Sequence, residues 1–264
     1  MSSSVDFRGR YGQWAVIAGA SEGLGAAFAK ALAKRGQNLV LLARRKSVMD
    51  DLATTIAKDH GVEVRAMACD LADPGFADAI LEATKGLEVG TAVYNAAYSY
   101  VGPLIERPLD EALKVVDVNI RGPIRFAHAL VPAMIERKRG ALVLMSSLAG
   151  FQGTPNLAAY ASSKAFTTVL GESLWAELEP KGIDVVASAA GAIRTPNYLK
   201  TSKGKNAPGT LEADDVAETT LNALGHGPLV VPGGVNKLAR FVLGRMLSRS
   251  AAVGIMAKST VGLE

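Results

Sequence analysis

The stretch Trp14-Ala15-Val16-Ile17-Ala18-Gly19-Ala20-Ser21-Glu22-Gly23-Leu24-Gly25 joins a short apolar run to a glycine-rich turn, and an alanine-rich helical segment follows it. A buried strand that enters such a turn and opens a helix is typical of a phosphate-binding site, because backbone N–H groups at the helix start point toward the anion. Glycines also let a pyrophosphate approach the main chain. The spacing Gly-x-x-x-Gly-x-Gly differs from the commoner Gly-x-Gly-x-x-Gly, and such a turn can be purely structural.

Strand-length apolar runs alternate with amphipathic helical segments along most of the chain. This alternation predicts an α/β fold, a Rossmann-like doubly wound parallel sheet of about seven strands with helices on both faces. No composition shift marks a linker within the 264 residues, so we expect one domain over 1–264. The expected strands lie at 14–18, 38–43, 62–68, 91–94, 141–145 and 183–189. The expected helices lie at 47–59, 75–85 and from about 160 to 179, and 109–137 is either one long helix or two helices broken near Gly122-Pro123.

The end of the second strand bears on the cofactor. A nucleotide-binding fold often places a carboxylate there for the adenosine ribose, whereas this chain has Arg44 and Arg45. A guanidinium suits a 2′-phosphate, which favours NADP. Adjacent arginines are also often just solvated, and Glu22 in the glycine turn adds a negative charge nearby, so NAD stays the alternative. Asp70 and Asn95 follow the third and fourth strands, at the sheet edge where ligands bind.

Tyr160 and Lys164 are four residues apart in Ala159-Tyr160-Ala161-Ser162-Ser163-Lys164, so they share a helix face. A free phenol titrates near 10. A cation about 4 Å away, at an effective dielectric near 20, lowers the phenol pKa by up to about 3 units. The pair therefore indicates a general acid or base near neutral pH. The same spacing also arises by accident on helix surfaces, so the remaining motifs have to support it.

Composition favours a mildly basic soluble enzyme. The net charge of +4 and the pI near 9.1 come from basic residues scattered among acidic ones, which argues against nucleic acid as a partner. A single cysteine, Cys69, excludes a disulfide within the chain and a thiolate metal cluster, and it favours a cytoplasmic location. We expect no metal site from the three separated histidines, and neither a signal peptide nor a membrane span at the N-terminus.

Six motifs in this order and spacing resemble the short-chain dehydrogenase/reductase family. The resemblance covers roughly residues 13 to 195. Small residues replace three supporting family positions, namely Ala18 for Thr, Ala97 for Gly and Ala190 for Pro, and we expect them to leave the chemistry intact. The motifs are the glycine turn, Asn95-Ala96-Ala97, Asn119, Ser147, Tyr160-x-x-x-Lys164 and Gly191-x-x-x-Thr195.

The resemblance implies a role for each matching residue. Tyr160 would be the general acid in reduction and the base in oxidation, and Lys164 would lower its pKa and bind the nicotinamide ribose. Ser147, thirteen residues before the tyrosine, would hydrogen-bond the substrate carbonyl. Asn119 would help to hold a water that relays protons. The cofactor, NADP(H) in preference to NAD(H), would be bound by Gly19, Ser21, Gly23, Leu24, Gly25, Arg44, Asp70, Leu71, Asn95, Tyr160, Lys164 and Thr195.

The implied reaction is hydride transfer between the nicotinamide and a carbonyl or secondary alcohol, without a metal. A substrate loop is expected at 196–211, and Phe151, Leu157 and Tyr198 are candidates for an apolar pocket that favours a hydrophobic substrate. Two other functions stay open: a nucleotide-binding sensor or scaffold without catalysis, and an epimerase or dehydratase acting on a sugar nucleotide. The resemblance also implies a homodimer or homotetramer.

The tail at 235–264 differs from the rest of the chain. Leu238, Phe241, Val242 and Met246 recur at helical spacing. One interpretation is a helix that packs its apolar face on the core or on a sister subunit. The other is a basic amphipathic helix that makes peripheral contact with an anionic membrane. The cations of the tail, opposed only by Glu264, are Lys237, Arg240, Arg245, Arg249 and Lys258.

Overall fold

Seven parallel strands form the central sheet of the computed structural model, which describes residues 6–202 and 206–259. The strand order is β3-β2-β1-β4-β5-β6-β9, so the expected Rossmann-like doubly wound sheet is confirmed. A separate parallel pair consists of β7 (Ile193–Arg194) and β8 (Leu211–Glu212). The strands of the main sheet are β1 (Trp14–Ala18), β2 (Asn38–Ala43), β3 (Val64–Ala68), β4 (Val89–Tyr94), β5 (Gly140–Ser147), β6 (Ile183–Ala190) and β9 (Leu229–Val230).

Helices cover both faces of the sheet, which explains why its inner strands read as continuous apolar runs. Every residue of β1 and β4 is buried. One core includes Phe28 and Met49, and the core on the opposite face includes Phe126 and Met134. The helices are α1 (Phe7–Tyr11), α2 (Gly23–Lys34), α3 (Lys46–His60), α4 (Phe76–Ala83), α5 (Leu109–Val116), α6 (Gly122–Arg137), α7 (Ala158–Leu178), α8 (Pro196–Thr201), α9 (Ala213–Asn222), α10 (Gly234–Phe241) and α11 (Arg249–Ser259).

Several strand boundaries differ from the expected ones by one or two residues, and two of these differences are informative. Strand β3 begins at Val64 rather than at residue 62, because Gly61, with a φ of 67°, ends α3 in the left-handed conformation. Strand β5 extends beyond 145 to Ser147, where it still pairs with Ala190 of β6. The extension carries two polar serines into the sheet edge, a position that hydropathy alone does not reveal.

The helical region 109–137 is continuous, so it is one long helix with an irregular turn before Gly122 rather than two helices with a break at Gly122-Pro123. A π-helical turn over Asp117–Arg121 joins α5 to α6, and Asn119 lies in it. Pro123 follows the π-helical turn directly, in the first turn of α6. Turns of this kind are frequent at functional sites because they reorient side chains within a continuous helix.

The C-terminal segment consists of α10, a π-helical turn (Val242–Met246) and α11. Leu238, Phe241 and Met246 are 63%, 56% and 68% exposed, so packing of this apolar face on the core of the same chain is wrong. Within the expected substrate loop, α8 is helical, and residues 203–205 lie outside the described part, as do residues 260–264 of the tail. No helix in the described ranges is long and apolar enough to cross a membrane.

Candidate active site

A cleft of about 830 Å³ opens at the carboxyl ends of the central strands, where doubly wound sheets bind their ligands. Three of the residues expected at the site, Gly25, Asn119 and Ser147, are not in its lining. The expected residues that do line the cleft are Gly19, Ser21, Gly23, Leu24, Arg44, Asp70, Leu71, Asn95, Tyr160, Lys164 and Thr195.

In the glycine turn the backbone approaches neighbouring backbone so closely that a Cβ atom would not fit at Gly19 or Gly25. A Cβ atom on Gly25 would lie 1.9 Å from the Gly19 carbonyl oxygen, and one on Gly19 would lie 2.7 Å from Ala96 Cα. The Asn95 side-chain amide fixes the turn by donating to the Gly19 carbonyl oxygen at 2.9 Å. Glu22, which precedes α2, makes no side-chain cap, so the first N–H groups of the helix lack this partner. The turn and the helix start fit a pyrophosphate.

The two arginines after β2 differ in their surroundings. Arg45 Nη2 lies 2.9 Å from Glu22 Oε1 and 3.1 Å from Ser21 Oγ, so Arg45 is paired within the protein. Arg44 lines the cleft and is exposed, and no carboxylate of the described ranges lies within salt-bridge distance of it. Arg44 is therefore the cation that can serve an anionic group of a ligand at this end of the cleft.

At the other end of the cleft, α7 holds Tyr160 and Lys164 beside the end of β5. Lys164 is 4% exposed, and its Nζ donates to the Met145 carbonyl oxygen at 2.8 Å. Ser146 lines the cleft, but its Oγ is engaged within the protein, because it donates to the Lys164 carbonyl oxygen at 2.7 Å and contacts Thr168. Ser147 instead interacts with the Tyr160 hydroxyl, which favours Ser147 over its neighbour as a substrate-facing serine.

The expected lowering of the Tyr160 pKa is wrong for this structure. Burial raises the pKa of Tyr160, and the hydrogen bond with Ser147 only partly opposes that effect. The Lys164 ammonium lies 5.6 Å from the centroid of the phenol ring and is directed to the Met145 carbonyl, not to the hydroxyl. Burial also lowers the pKa of Lys164 to about 8. The i, i+4 spacing placed the two groups on one face, but the spacing does not report on desolvation.

The pKa of Lys164 gives an expected dependence of stability on pH. It falls from 10.5 in the unfolded chain to about 8 in the fold. Between these values the unfolded chain binds the extra proton, so this lysine makes the free energy of unfolding rise with pH. Relative to Lys164→Met, the free energy of unfolding of the wild type should rise by roughly 3 kcal/mol as the pH increases through this range. Below the range, the difference between the two proteins should not change with pH. Urea unfolding of both proteins at a series of pH values measures the difference, and a constant difference would contradict the assignment.

Asn119 acts as a bridge between two segments of the site. Its Oδ1 accepts from the Tyr98 N–H at 2.8 Å, and its Nδ2 donates to the Tyr98 carbonyl at 2.9 Å and to Ser163 Oγ at 3.0 Å. The Ser163 hydroxyl in turn donates to the Tyr160 carbonyl oxygen at 2.7 Å. The amide of Asn119 thus ties the loop after β4 to the helix of Tyr160, and both of its N–H donors are used.

Some residues of the cleft, Lys114 among them, were not expected from the sequence. Lys114 on α5 lines the cleft, with its Nζ 5.1 Å from the ring centroid of Tyr98. Lys114 is five residues before Asn119, which is not a same-face spacing of an α-helix, so helical periodicity gave no signal for it. Of the three candidates for the apolar pocket, Tyr198 lines the cleft, whereas Phe151 and Leu157 are outside its lining. Thr195 accepts from the Tyr198 N–H at 3.2 Å and so begins α8.

Comparison with known proteins adds independent information. A family model described as short chain dehydrogenase matches residues 13–206. A 7beta-hydroxysteroid dehydrogenase from Clostridium sardiniense is 33% identical over 235 residues, which are 88% of this chain and 90% of the relative. A very-long-chain 3-oxoacyl-CoA reductase from Phaeosphaeria nodorum is 34% identical over 244 residues, 85% of this chain and 72% of the relative.

Solved structures agree with these relatives. A 7beta-hydroxysteroid dehydrogenase superposes with a TM-score of 0.90 at 27% identity, covering 96% of this chain and 99% of the other. A short-chain dehydrogenase from Sphingobium yanoikuyae in complex with NADPH gives a TM-score of 0.79 at 28% identity, covering 92% and 95%. With a family model matched over most of its length and relatives of this identity and coverage, the chain belongs to the short-chain dehydrogenase/reductase family of NAD(P)-dependent oxidoreductases.

Proposed function

We propose that this enzyme transfers a hydride between NADP(H) and the carbonyl or secondary alcohol of a hydrophobic small molecule. The observation that carries the proposal is the arrangement of one cleft, with an unpaired cation, Arg44, at one end and the Tyr160–Lys164 pair at the other. The uncapped start of α2 lies between them and suits a pyrophosphate. The neighbour solved with NADPH supports the choice of cofactor.

The residues have complementary roles in this reaction. A bound nicotinamide supplies the hydride that the carbonyl carbon accepts. Ser147 hydrogen-bonds the substrate oxygen, and Tyr160 gives its hydroxyl proton to that oxygen, so that the carbonyl becomes an alcohol. The raised pKa of Tyr160 keeps the phenol protonated and ready to donate. The buried Lys164, with a pKa of about 8, returns a proton toward the tyrosine, and Asn119 holds α7 in place.

The cofactor preference predicts a selective effect of Arg44→Ala. Removal of a charge-assisted contact with a 2′-phosphate costs about 1.5–3 kcal/mol, so the Kd of NADPH should rise about 10- to 100-fold while the Kd of NADH stays the same. Titration of cofactor fluorescence measures both constants. Arg65→Ala, an exposed arginine on β3, is the matched control and should change neither. Equal weakening of NADPH and NADH would contradict a phosphate contact at Arg44.

The hydrophobic substrate follows from the lining beyond the catalytic pair. Val118, Ile193 and Tyr198 line the cleft and offer apolar surface for a substrate. Relatives named for a hydroxysteroid and for a very-long-chain 3-oxoacyl-CoA support a bulky apolar ketone or alcohol. The test is oxidation of NADPH by the purified enzyme against a panel of ketones of increasing apolar size. Turnover confined to small polar ketones would contradict the proposal.

The same experiment separates the competing functions. A sensor or scaffold would bind NADPH without turnover of any ketone in the panel, and an epimerase or dehydratase would act on a sugar nucleotide without net oxidation of the cofactor. We place the enzyme in the cytoplasm as a single-domain homodimer or homotetramer. The oligomer is supported by apolar side chains exposed on the helices around Asn119 and Tyr160, namely Leu109, Leu113, Ile124 and Val169.

A further inference from the structure

The C-terminal segment exposes a second apolar surface, separate from the helices around Asn119. Val235, Leu238 and Phe241 recur every three residues along α10 and are 57%, 63% and 56% exposed, and Met246 at the end of the following turn is 68% exposed. Helix α10 continues into the π-helical turn without a break, so these side chains lie on one helical segment of the surface. Neighbouring apolar side chains that are exposed together in this way indicate an interaction site.

The same segment is strongly basic. Between residues 234 and 259 the chain has five cations and no carboxylate. All five are exposed, and they flank the apolar side chains on α10, the π-helical turn and α11. We call the exposed apolar and basic side chains together the tail patch, which consists of Val235, Leu238, Phe241, Met246, Lys237, Arg240, Arg245, Arg249 and Lys258.

The tail patch is fixed by contacts with two other segments of the chain. The Arg240 guanidinium stacks 4.6 Å from the ring centroid of Phe151, and Arg249 donates to the Phe151 carbonyl oxygen at 3.1 Å. Phe151 ends the short turn that follows Ser147. At the base of α10, the buried Asn236 donates to the Gly209 carbonyl at 3.1 Å, which ties the helix to the substrate loop. These contacts fix the tail patch to the turn that follows Ser147 and to the substrate loop.

We propose that the tail patch docks the enzyme on an anionic lipid surface. A helix with Leu, Phe and Met on one side and Lys and Arg around them, with low net hydrophobicity, has the composition that binds in the interface of a membrane. Charge complementarity favours lipid over a second copy of this chain. A two-fold interface would place the same patch on both subunits and bring ten cations together with no carboxylate from either segment.

Co-sedimentation of the full-length protein with vesicles tests the proposal. We expect binding to equimolar phosphatidylcholine and phosphatidylglycerol, little binding to phosphatidylcholine alone, and loss of binding as salt is raised. Each cation near the surface strengthens the partition coefficient roughly fivefold, so Lys237→Gln with Arg245→Gln should weaken it roughly 30-fold. Replacement of Leu238 and Phe241 by Ser should weaken it about tenfold or more.

Matched controls keep the result specific. Lys30→Gln with Lys58→Gln removes the same charge from exposed positions on α2 and α3, and Val48→Ser with Leu81→Ser removes exposed apolar side chains from α3 and α4. Neither control should change vesicle binding, and NADPH fluorescence verifies that every variant is folded. Absence of binding to anionic vesicles, or equal binding to neutral ones, would overturn the proposal. A change of oligomeric state in the Leu238/Phe241 variant, seen by light scattering, would instead assign the patch to a second copy.

Discussion

Tyr160→Phe should reduce turnover of any ketone by about 10²- to 10⁴-fold, because it removes the hydroxyl that we propose as the acid for the substrate oxygen. The substitution keeps the ring, which lies 5.6 Å from Lys164 Nζ. Binding of NADPH should therefore stay within about twofold of the wild type, since the loss lies in the transition state and not in the ground state. Single-turnover oxidation of bound NADPH measures the step directly.

Tyr100→Phe is the matched control for this prediction. Tyr100 is 9% exposed, and its hydroxyl has no hydrogen-bond partner in the part of the chain that the structure describes. Loss of that hydroxyl should leave both turnover and cofactor binding unchanged. If Tyr160→Phe retained full turnover, another group would have to supply the proton, and the roles given to Ser147 and Lys164 would fail with it.

The sequence predicted which residues meet in the cleft better than it predicted the direction of their pKa shifts. Parallel strands end at a common edge, so a motif order was enough to expect Gly19, Asp70 and Asn95 in one cleft. The direction of the Tyr160 pKa shift was not predictable from spacing, because it depends on burial and on the Met145 carbonyl that engages Lys164. Pairwise spacing describes geometry along one helix, whereas desolvation depends on every element that packs around it.

The C-terminal tail illustrates a second limit of sequence reasoning. Its apolar periodicity indicated an amphipathic helix, and α10 is one. Periodicity cannot show which surface covers the apolar face, because burial depends on residues far away in the chain. The contact of Arg240 with Phe151, across roughly ninety positions, orients the helix so that Leu238 and Phe241 point outward. Lys114 was not expected for a similar reason, because its contact with Tyr98 joins two separate segments of the chain.

Gly25→Ala should raise the Kd of NADPH more than about 100-fold and lower the free energy of unfolding by about 1–3 kcal/mol. The added Cβ would lie 1.9 Å from the Gly19 carbonyl oxygen and 2.9 Å from Ala20 Cα, and both neighbours are backbone atoms of the turn. No rotamer change relieves such contacts, so α2 has to move away from the turn that precedes it. That movement separates the N–H groups of the helix start from the place of the pyrophosphate.

Gly254→Ala is the control for this substitution. A Cβ at Gly254, within α11, meets no atom within 4 Å, and alanine is favoured over glycine by about 1 kcal/mol in a helix. This variant should be as stable as the wild type or more so, with the same Kd for NADPH. Urea unfolding and cofactor fluorescence measure both quantities on the two variants. An unchanged Kd in Gly25→Ala would show that the turn tolerates a side chain, and the close approach of α2 to Gly19 would then not be what positions the phosphate site.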